Sequence, residues 1–398
     1  MNHNKKFELK YEGKEDRETI LCKTEPADFK KEYTIGGNSS LTDLNQFDSF
    51  YFGENLKILK LLTSDENFKG KISLIYIDPP FGTNQLFKGS ESRTSTISAS
   101  LNDAVVYDDT TTGTSFIEFL RKRLVFLYEL LSETGTIYIH IDAKWGYQIK
   151  LIMDEIFGEE HFINDIARIK CNPKNFSRRA YGNIKDLIFF YSKSNNYIWN
   201  ESIEDYSEDD IKRLFPKIDK QGRRYTTNPL HAPGETQDGA TGQPWRKMSP
   251  PKGRHWRYKP AVLNQLDAAG LIEWSSTGNP RKIIYAADHL KKKKKRQDIW
   301  ELKDPPYPKY PTEKNLDLLK TIILASSNPN DIVLDCFAGS GTTLLAAELL
   351  GRRWIGIDVS LSALEIFLQK FKGEKKSSAF KVYNSTDIDL DPIIKKNI

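Results

Sequence analysis

Asp331-Ile332-Val333-Leu334-Asp335-Cys336-Phe337-Ala338-Gly339-Ser340-Gly341-Thr342-Thr343 is the stretch on which the reading of the fold turns. An apolar run ends at Asp335, two glycines make a tight turn, residues 342–350 carry a helical pattern, and a second apolar run, 354–357, ends at Asp358. That is one βαβ unit, which places its strands parallel. Glycines at a helix N-terminus let the backbone approach a ligand, and an acid about 20 residues further on can accept hydrogen bonds from ribose hydroxyls. Asp358 lies 19 positions after Gly339. Leu344 stands where a dinucleotide fingerprint has its third glycine, and Thr342 directly follows Gly341 where a phosphate loop needs Lys. A nucleoside without a heavy phosphate load fits this turn best; a tight turn with no ligand is the plain alternative.

Working outward, residues 72–77 form another apolar strand, ended by Asp78-Pro79-Pro80-Phe81. The exocyclic amine of a nucleobase is a poor nucleophile because its lone pair is delocalised into the ring. A carboxylate at Asp78 and the Pro79 carbonyl can accept its two N–H bonds and leave the lone pair directed at an incoming electrophile. The prolines restrict φ and hold those acceptors in place, and Phe81 offers a face for a flipped base. Asp304-Pro305-Pro306-Tyr307 repeats the pattern with no apolar run before it and reads as linker.

The rest of the chain alternates. Helical patterns follow Phe52 and cover residues 116–131, 147–157 and 316–326, with further strands at 136–141 and 186–191, so a mostly parallel α/β sheet is expected. Residues 82–114 read as a long mobile loop after the first motif. Five segments result: an N-terminal extension at 1–50, catalytic parts at 51–193 and 304–375, an irregular insertion at 194–303, and a tail at 376–398. His140 with Asp142 ends a strand and can line the cleft, although a hydrogen-bonded structural histidine explains it equally.

The 398 residues are 38% hydrophobic and 12% aromatic, enough for packed cores, and no signal-peptide or membrane-length apolar run is present. A cytoplasmic location and no membrane partner are expected. Cys22, Cys171 and Cys336 form no CxxC pair, and the six histidines lack metal-ligand spacing, so neither disulfide nor metal is expected. Net charge is +5, but residues 241–300 hold 14 Lys or Arg against 4 Asp or Glu. A polyanion partner follows from that concentration. The run from Lys291 to Arg296 reads equally well as a solvated loop.

With these motifs in this order the sequence closely resembles bacterial DNA amino-methyltransferases of the permuted (beta) class, in which the catalytic motif precedes the cofactor motif. It is most similar to the branch holding modification subunits of type III restriction systems and solitary adenine-N6 methyltransferases. The likeness covers about residues 52–371 and rests on Gly53-Glu54-Asn55-Leu56, residues 75–84, 135–142 and 153–158, Tyr310-Pro311-Thr312-Glu313-Lys314, and residues 331–360.

The resemblance implies a Rossmann-like, mostly parallel sheet of the S-adenosylmethionine-dependent methyltransferase type with an inserted target-recognition domain. It implies S-adenosylmethionine as cofactor: Phe337, Gly339 and Gly341 lining the site with Asp335, Ala338, Ser340 and Thr342, Asp358 on the ribose, and Thr312 and Lys314 over the methionine end. Asp78 then stands between cofactor and base, and Phe81 replaces the tyrosine more usual there. The insertion becomes the reader of double-stranded DNA, with Trp245, Arg246, Lys252, Arg254, His255, Trp256 and Arg257 as expected contacts. N6 of a flipped adenine is the implied target, since Ser is more usual than Asp in the first motif for cytosine N4. Carbon 5 of cytosine is disfavoured because no Pro-Cys pair supplies a nucleophile. An inactive DNA-binding subunit is the alternative of another class. A homodimer and a cognate restriction endonuclease are the implied protein partners.

Overall fold

Fully buried apolar strands set the centre of the larger of two units. The computed structural model describes residues 8–36, 48–80, 85–90, 93–94, 104–109, 113–173, 177, 179–236, 238–306, 308, 313–373 and 379–397. Within them the chain divides into two units, Met1–Ser202 with Gln297–Ile398, and Ile203–Arg296.

The first unit is built on a ten-stranded sheet. Its strands are β1 (Lys31–Ile35), β2 (Ser49–Phe52), β3 (Ile72–Ile77), β4 (Leu131–Ile141), β5 (Phe162–Ile169), β6 (Lys185–Ser192), β7 (Ile299–Trp300), β8 (Ile332–Asp335), β9 (Arg353–Asp358) and β10 (Phe380–Asn384). They lie in the order β1-β10-β2-β9-β8-β3-β4-β6-β5-β7. From β10 to β4 every neighbour is parallel, while β1 and β6 run antiparallel to theirs.

Alternation along β3 explains the layering. Ile75 and Ile77 face one cluster, where they meet Leu59 of α1 (Asn55–Thr63), Leu124 of α2 (Gly113–Leu130) and Ile149 of α3 (Ala143–Phe157). Leu74 and Tyr76 face the other, packed with Ile322 of α4 (Leu316–Ser326), Leu344 of α5 (Thr342–Leu349) and Phe367 of α6 (Leu361–Gly373). A strand covered on both faces reads as a near-continuous apolar run, and all six residues of β3 are buried, Ser73 among them as the small polar exception.

Three expected boundaries move. Residues 1–50 are not a separate arm: β1 and β2 join the sheet, and Asp48 accepts hydrogen bonds from Arg353 (3.0 Å) and the Trp354 N–H (3.2 Å). The tail contributes β10, whose buried Phe380 and Val382 fill the place between β1 and β2. The insertion narrows from 194–303 to Ile203–Arg296, because Trp199 stacks on Phe190 of β6 and Trp300 sits in β7 beside β5. In the segment 82–114, read as loop, strands Gln85–Ser90, Arg93–Thr94 and Ala104–Asp109 pair antiparallel.

The second unit is more regular than its composition implies. Strands Lys217–Ile218, Arg224–Pro229, Pro280–Tyr285 and Ile272–Trp274 form an antiparallel sheet, and Leu230, Trp245, Trp256 and Leu263 form a small core. Ile203–Glu204 pairs with Lys294–Lys295, so the unit's entering and leaving segments lie side by side.

Candidate active site at the carboxyl edge of the sheet

Parallel neighbours end on the same edge, and here four of those ends carry polar residues. Leu334 pairs with Ile75, Asp335 with Gly356, and Phe52 with Asp358, so the chain leaves β2, β3, β8 and β9 at one side of the sheet. Open α/β sheets bind ligands at such an edge.

The glycine turn after β8 is braced from within. Asp335 is buried and accepts from the Phe337 N–H (3.0 Å) and the Thr343 hydroxyl (2.6 Å). Burial pushes its carboxyl up to about 7, beyond what those hydrogen bonds offset. Both oxygens serve the turn, so Asp335, expected against the cofactor, works as an internal brace. Gly341 has φ +75° and caps α5, and a Cβ there would lie 2.5 Å from the Phe367 ring. Only glycine combines that backbone with that contact.

Gly339, at φ +51°, donates its N–H to Asp358 Oδ2 at 2.8 Å, and the Ser360 N–H reaches Asp358 Oδ1 at 2.9 Å. Asp358 is only partly buried, so its carboxylate, unlike that of Asp335, can be reached by a ligand hydroxyl. Burial raises its carboxyl above the usual range. The hydroxyls of Ser340 and Thr342 accept from Lys370 of α6 at 2.7 and 3.2 Å, and Lys370 pairs with Glu313 at 2.6 Å. Ala338 is buried, and Phe337 is partly exposed with its ring 6.1 Å from that of Phe119.

A second brace was not anticipated. Asn55, one residue into α1, donates to the Cys336 carbonyl at 2.8 Å and accepts from Arg123 at 2.6 Å. Arg123 also donates to Glu54 at 2.7 Å and lies 3.5 Å over the Phe119 ring. Glu54 and Asn55 follow the end of β2 as polar residues in an apolar context, which was the available signal.

Asp78 stands just past β3 with its side chain 15% exposed. Lys314 Nζ lies 2.6 Å from Oδ2, whereas Oδ1 is buried and makes no hydrogen bond among the described residues. Pro79 is buried and Pro80 partly so; Phe81 and Thr312 lie outside the described residues. Behind Asp78, His140 is fully buried, with Nε2 3.2 Å from Asp186 Oδ2 and Nδ1 2.9 Å from the Tyr76 hydroxyl. Burial lowers the His140 pKa below its ordinary value even though Asp186 and Asp78 favour the charged form. Burial opposes ionisation of Asp186 too, yet the hydrogen bonds from His140 and Lys170 and the Lys170 charge hold that carboxyl below the usual range. Asp142, the other polar residue of that strand end, instead caps α3 through the Lys144 N–H at 2.8 Å.

The second Asp-Pro-Pro is not a free linker. Asp304 follows β7 at the same edge, and its carboxylate is taken by the buried Arg168 of β5, which also donates to the Leu302 carbonyl at 2.7 Å.

In the second unit the seven expected contacts separate by burial. Trp245 and Trp256 are core residues, at 2% and 1% exposure, bonded through their indole N–H groups to Asn264 and the Gln243 carbonyl. Their aromatic surface is spent on packing, so they are withdrawn as contact residues. Arg246, Lys252, Arg254 and Arg257 are exposed, and His255 is partly so. Arg246 pairs with Asp267, and Arg257 donates to the Pro229 carbonyl at 3.1 Å.

Among known proteins, the model of a family described as DNA methylase matches residues 72–369. The type II methyltransferase M.EcaI of Enterobacter cloacae is 40% identical over 369 residues, which are 91% of this chain and 77% of that protein. M.KpnI of Klebsiella pneumoniae, also a type II methyltransferase, is 26% identical and shares 76% of each chain. The StyLTI Mod subunit of a type III restriction-modification enzyme from Salmonella typhimurium is 27% identical over 79% of this chain. This chain spans about half of that subunit's length, 51%. A solved DNA modification methylase of Thermus thermophilus complexed with S-adenosyl-L-methionine covers 84% of this chain and 98% of its own, at 15% identity and a TM-score of 0.42.

Proposed function

The chain belongs to the DNA methylase family and is a DNA methyltransferase, and from that premise we propose that its target is N6 of an adenine flipped out of duplex DNA. The observation that carries this reading is Asp78 Oδ1, buried at a strand end beside the glycine turn and without a hydrogen-bond partner among the described residues. A buried carboxylate oxygen without a donor is costly, and an incoming N–H relieves that cost.

S-adenosylmethionine is the methyl donor, and when bound it supplies an electrophilic methyl group. The residues fit such a molecule: Gly339 and Gly341 hold the left-handed backbone of the turn, and Asp358, partly buried at its mouth, is a carboxylate with acceptor capacity beyond the two backbone N–H groups it already takes. Lys314, whose ammonium also pairs with Asp78 Oδ2, is the proposed cation for the methionine carboxylate. Asp78 Oδ1 and the Pro79 carbonyl take the two N–H bonds of the amine, which concentrates electron density on the nitrogen. Pro79 and Pro80 hold the acceptors in place before substrate arrives, so little ordering remains for the reaction itself. Phe81 supplies a stacking face for the base.

Cytosine N4 presents the same amine, and aspartate rather than serine at position 78 favours adenine. The unit Ile203–Arg296 is the proposed target reader, with its exposed arginines on phosphates and base edges. A second copy of this chain and a cognate restriction endonuclease are the proposed protein partners, in the cytoplasm. Modification-sensitive sequencing of DNA from cells expressing the protein tests the reading. N6-methyladenine at one recurrent sequence, absent with Asp78→Ala, supports it; N4-methylcytosine moves the target to cytosine; full activity of Asp78→Ala overturns the mechanism.

A further inference from the structure

Resting on that reading of Asp78, we infer that His140 is a positioning residue: fixed in one neutral tautomer, it keeps Asp78 Oδ1 clear of protein donors and open to the substrate amine. The carboxylate of Asp186, 3.2 Å from Nε2, holds the ring proton on that nitrogen. Nδ1 is then a lone pair, filled by the Tyr76 hydroxyl at 2.9 Å. The same Nδ1 lies 3.9 Å from Asp78 Oδ1, too far for a hydrogen bond.

Protonation of the ring changes this geometry. An N–H would appear on Nδ1 with the Tyr76 oxygen at 2.9 Å and the Asp78 carboxylate at 3.9 Å. The charged oxygen is the stronger acceptor, and a movement of about 1 Å would close a charge-assisted hydrogen bond on Oδ1 as the Tyr76 hydroxyl, which can no longer donate to that nitrogen, gives up its contact. With Lys314 already on Oδ2, both oxygens of Asp78 would then be engaged by the protein. The groups facing His140 decide when this happens. Among the described residues, Tyr76 of β3 and Asp78 just past it, Asp186 of β6, and Lys314 before α4 approach the ring; Arg168 of β5, Lys170 just past β5 and Asp142 past β4 stand behind Asp186. Burial and Lys314 favour the neutral ring, and together they outweigh the two carboxylates. Asp186 therefore has two effects: it orients the ring and stabilises its protonated form.

The test is single-turnover methyl transfer from S-adenosylmethionine to duplex DNA between pH 5 and pH 8, using the full chain. The wild type is expected to lose rate toward low pH through an inflection below histidine's ordinary value. His140→Gln, which can keep both hydrogen bonds but cannot titrate, should lose that inflection and run about 10-fold slower at neutral pH. Asp186→Asn withdraws the carboxylate that favours imidazolium, so its inflection should move to lower pH. An inflection identical in wild type and His140→Gln overturns the positioning role, and so does one that Asp186→Asn leaves in place. Asp78→Ala serves as the control: inactivity there with an unchanged His140→Gln profile removes the inference alone, whereas full activity there removes the amine-acceptor reading beneath it.

Discussion

Lys314 Nζ lies 2.6 Å from Asp78 Oδ2, with side chains 9% and 15% exposed. The contact joins residues more than 200 positions apart, and it leaves the carboxylate one engaged oxygen and one open one. Lys314→Met removes the counter-charge from a partly buried carboxylate, at a cost of about 1–3 kcal/mol. Single-turnover methyl transfer should fall about 100-fold as Asp78 loses its fixed orientation, and Lys314→Arg should recover part of that rate.

Gly341 offers a test of the glycine turn. Alanine there meets both a left-handed backbone and the Phe367 ring 2.5 Å away, so Gly341→Ala should destabilise the first unit by about 2–4 kcal/mol in urea unfolding. S-adenosylmethionine affinity should fall at least about 10-fold by isothermal calorimetry, since the turn must open to relieve the clash.

Asp335 makes stability depend on pH. Its carboxyl is raised to about 7 when folded, while the unfolded group titrates near the ordinary carboxylate value. The folded state therefore binds more protons between those limits, and this group's contribution is full at acid pH and lost as pH rises through about 7. Asp335→Asn should narrow the difference in thermal midpoint between pH 5 and pH 8. Asp186 acts in the opposite sense: its lowered carboxyl adds stability at neutral pH that is lost as pH falls through the acid range.

In the second unit, burial separates two kinds of variant. Arg254→Ala and Arg257→Ala should each weaken duplex binding and reduce the slope of log affinity against log salt by about 1. Trp256→Ala should instead cost about 3–5 kcal/mol in stability by opening the small core.

Much of this architecture was readable because β3, β8 and β9 are largely apolar runs, each closed by an aspartate. β1 and β7 escaped notice for a physical reason: edge strands of five and two residues, largely exposed, leave almost no periodic signal, and the five residues of β10, though inside the sheet, are too few to stand out. The site divides likewise. Asp78 and the glycines announce themselves by spacing, but Asn55, Arg123, Lys370 and Asp186 act through contacts across 16 to 281 positions, which no local pattern encodes. Asp304 shows the limit from the other side, since its motif copies Asp78 while Arg168 claims its carboxylate.

Ile203–Glu204 and Lys294–Lys295 run side by side where the chain enters and leaves its second unit. A segment whose two ends meet can be exchanged for another of different length without altering the order of strands in its host. On the proposed reading of this unit as the target reader, heredity can rewrite which sequence is marked while the chemistry of marking stays untouched.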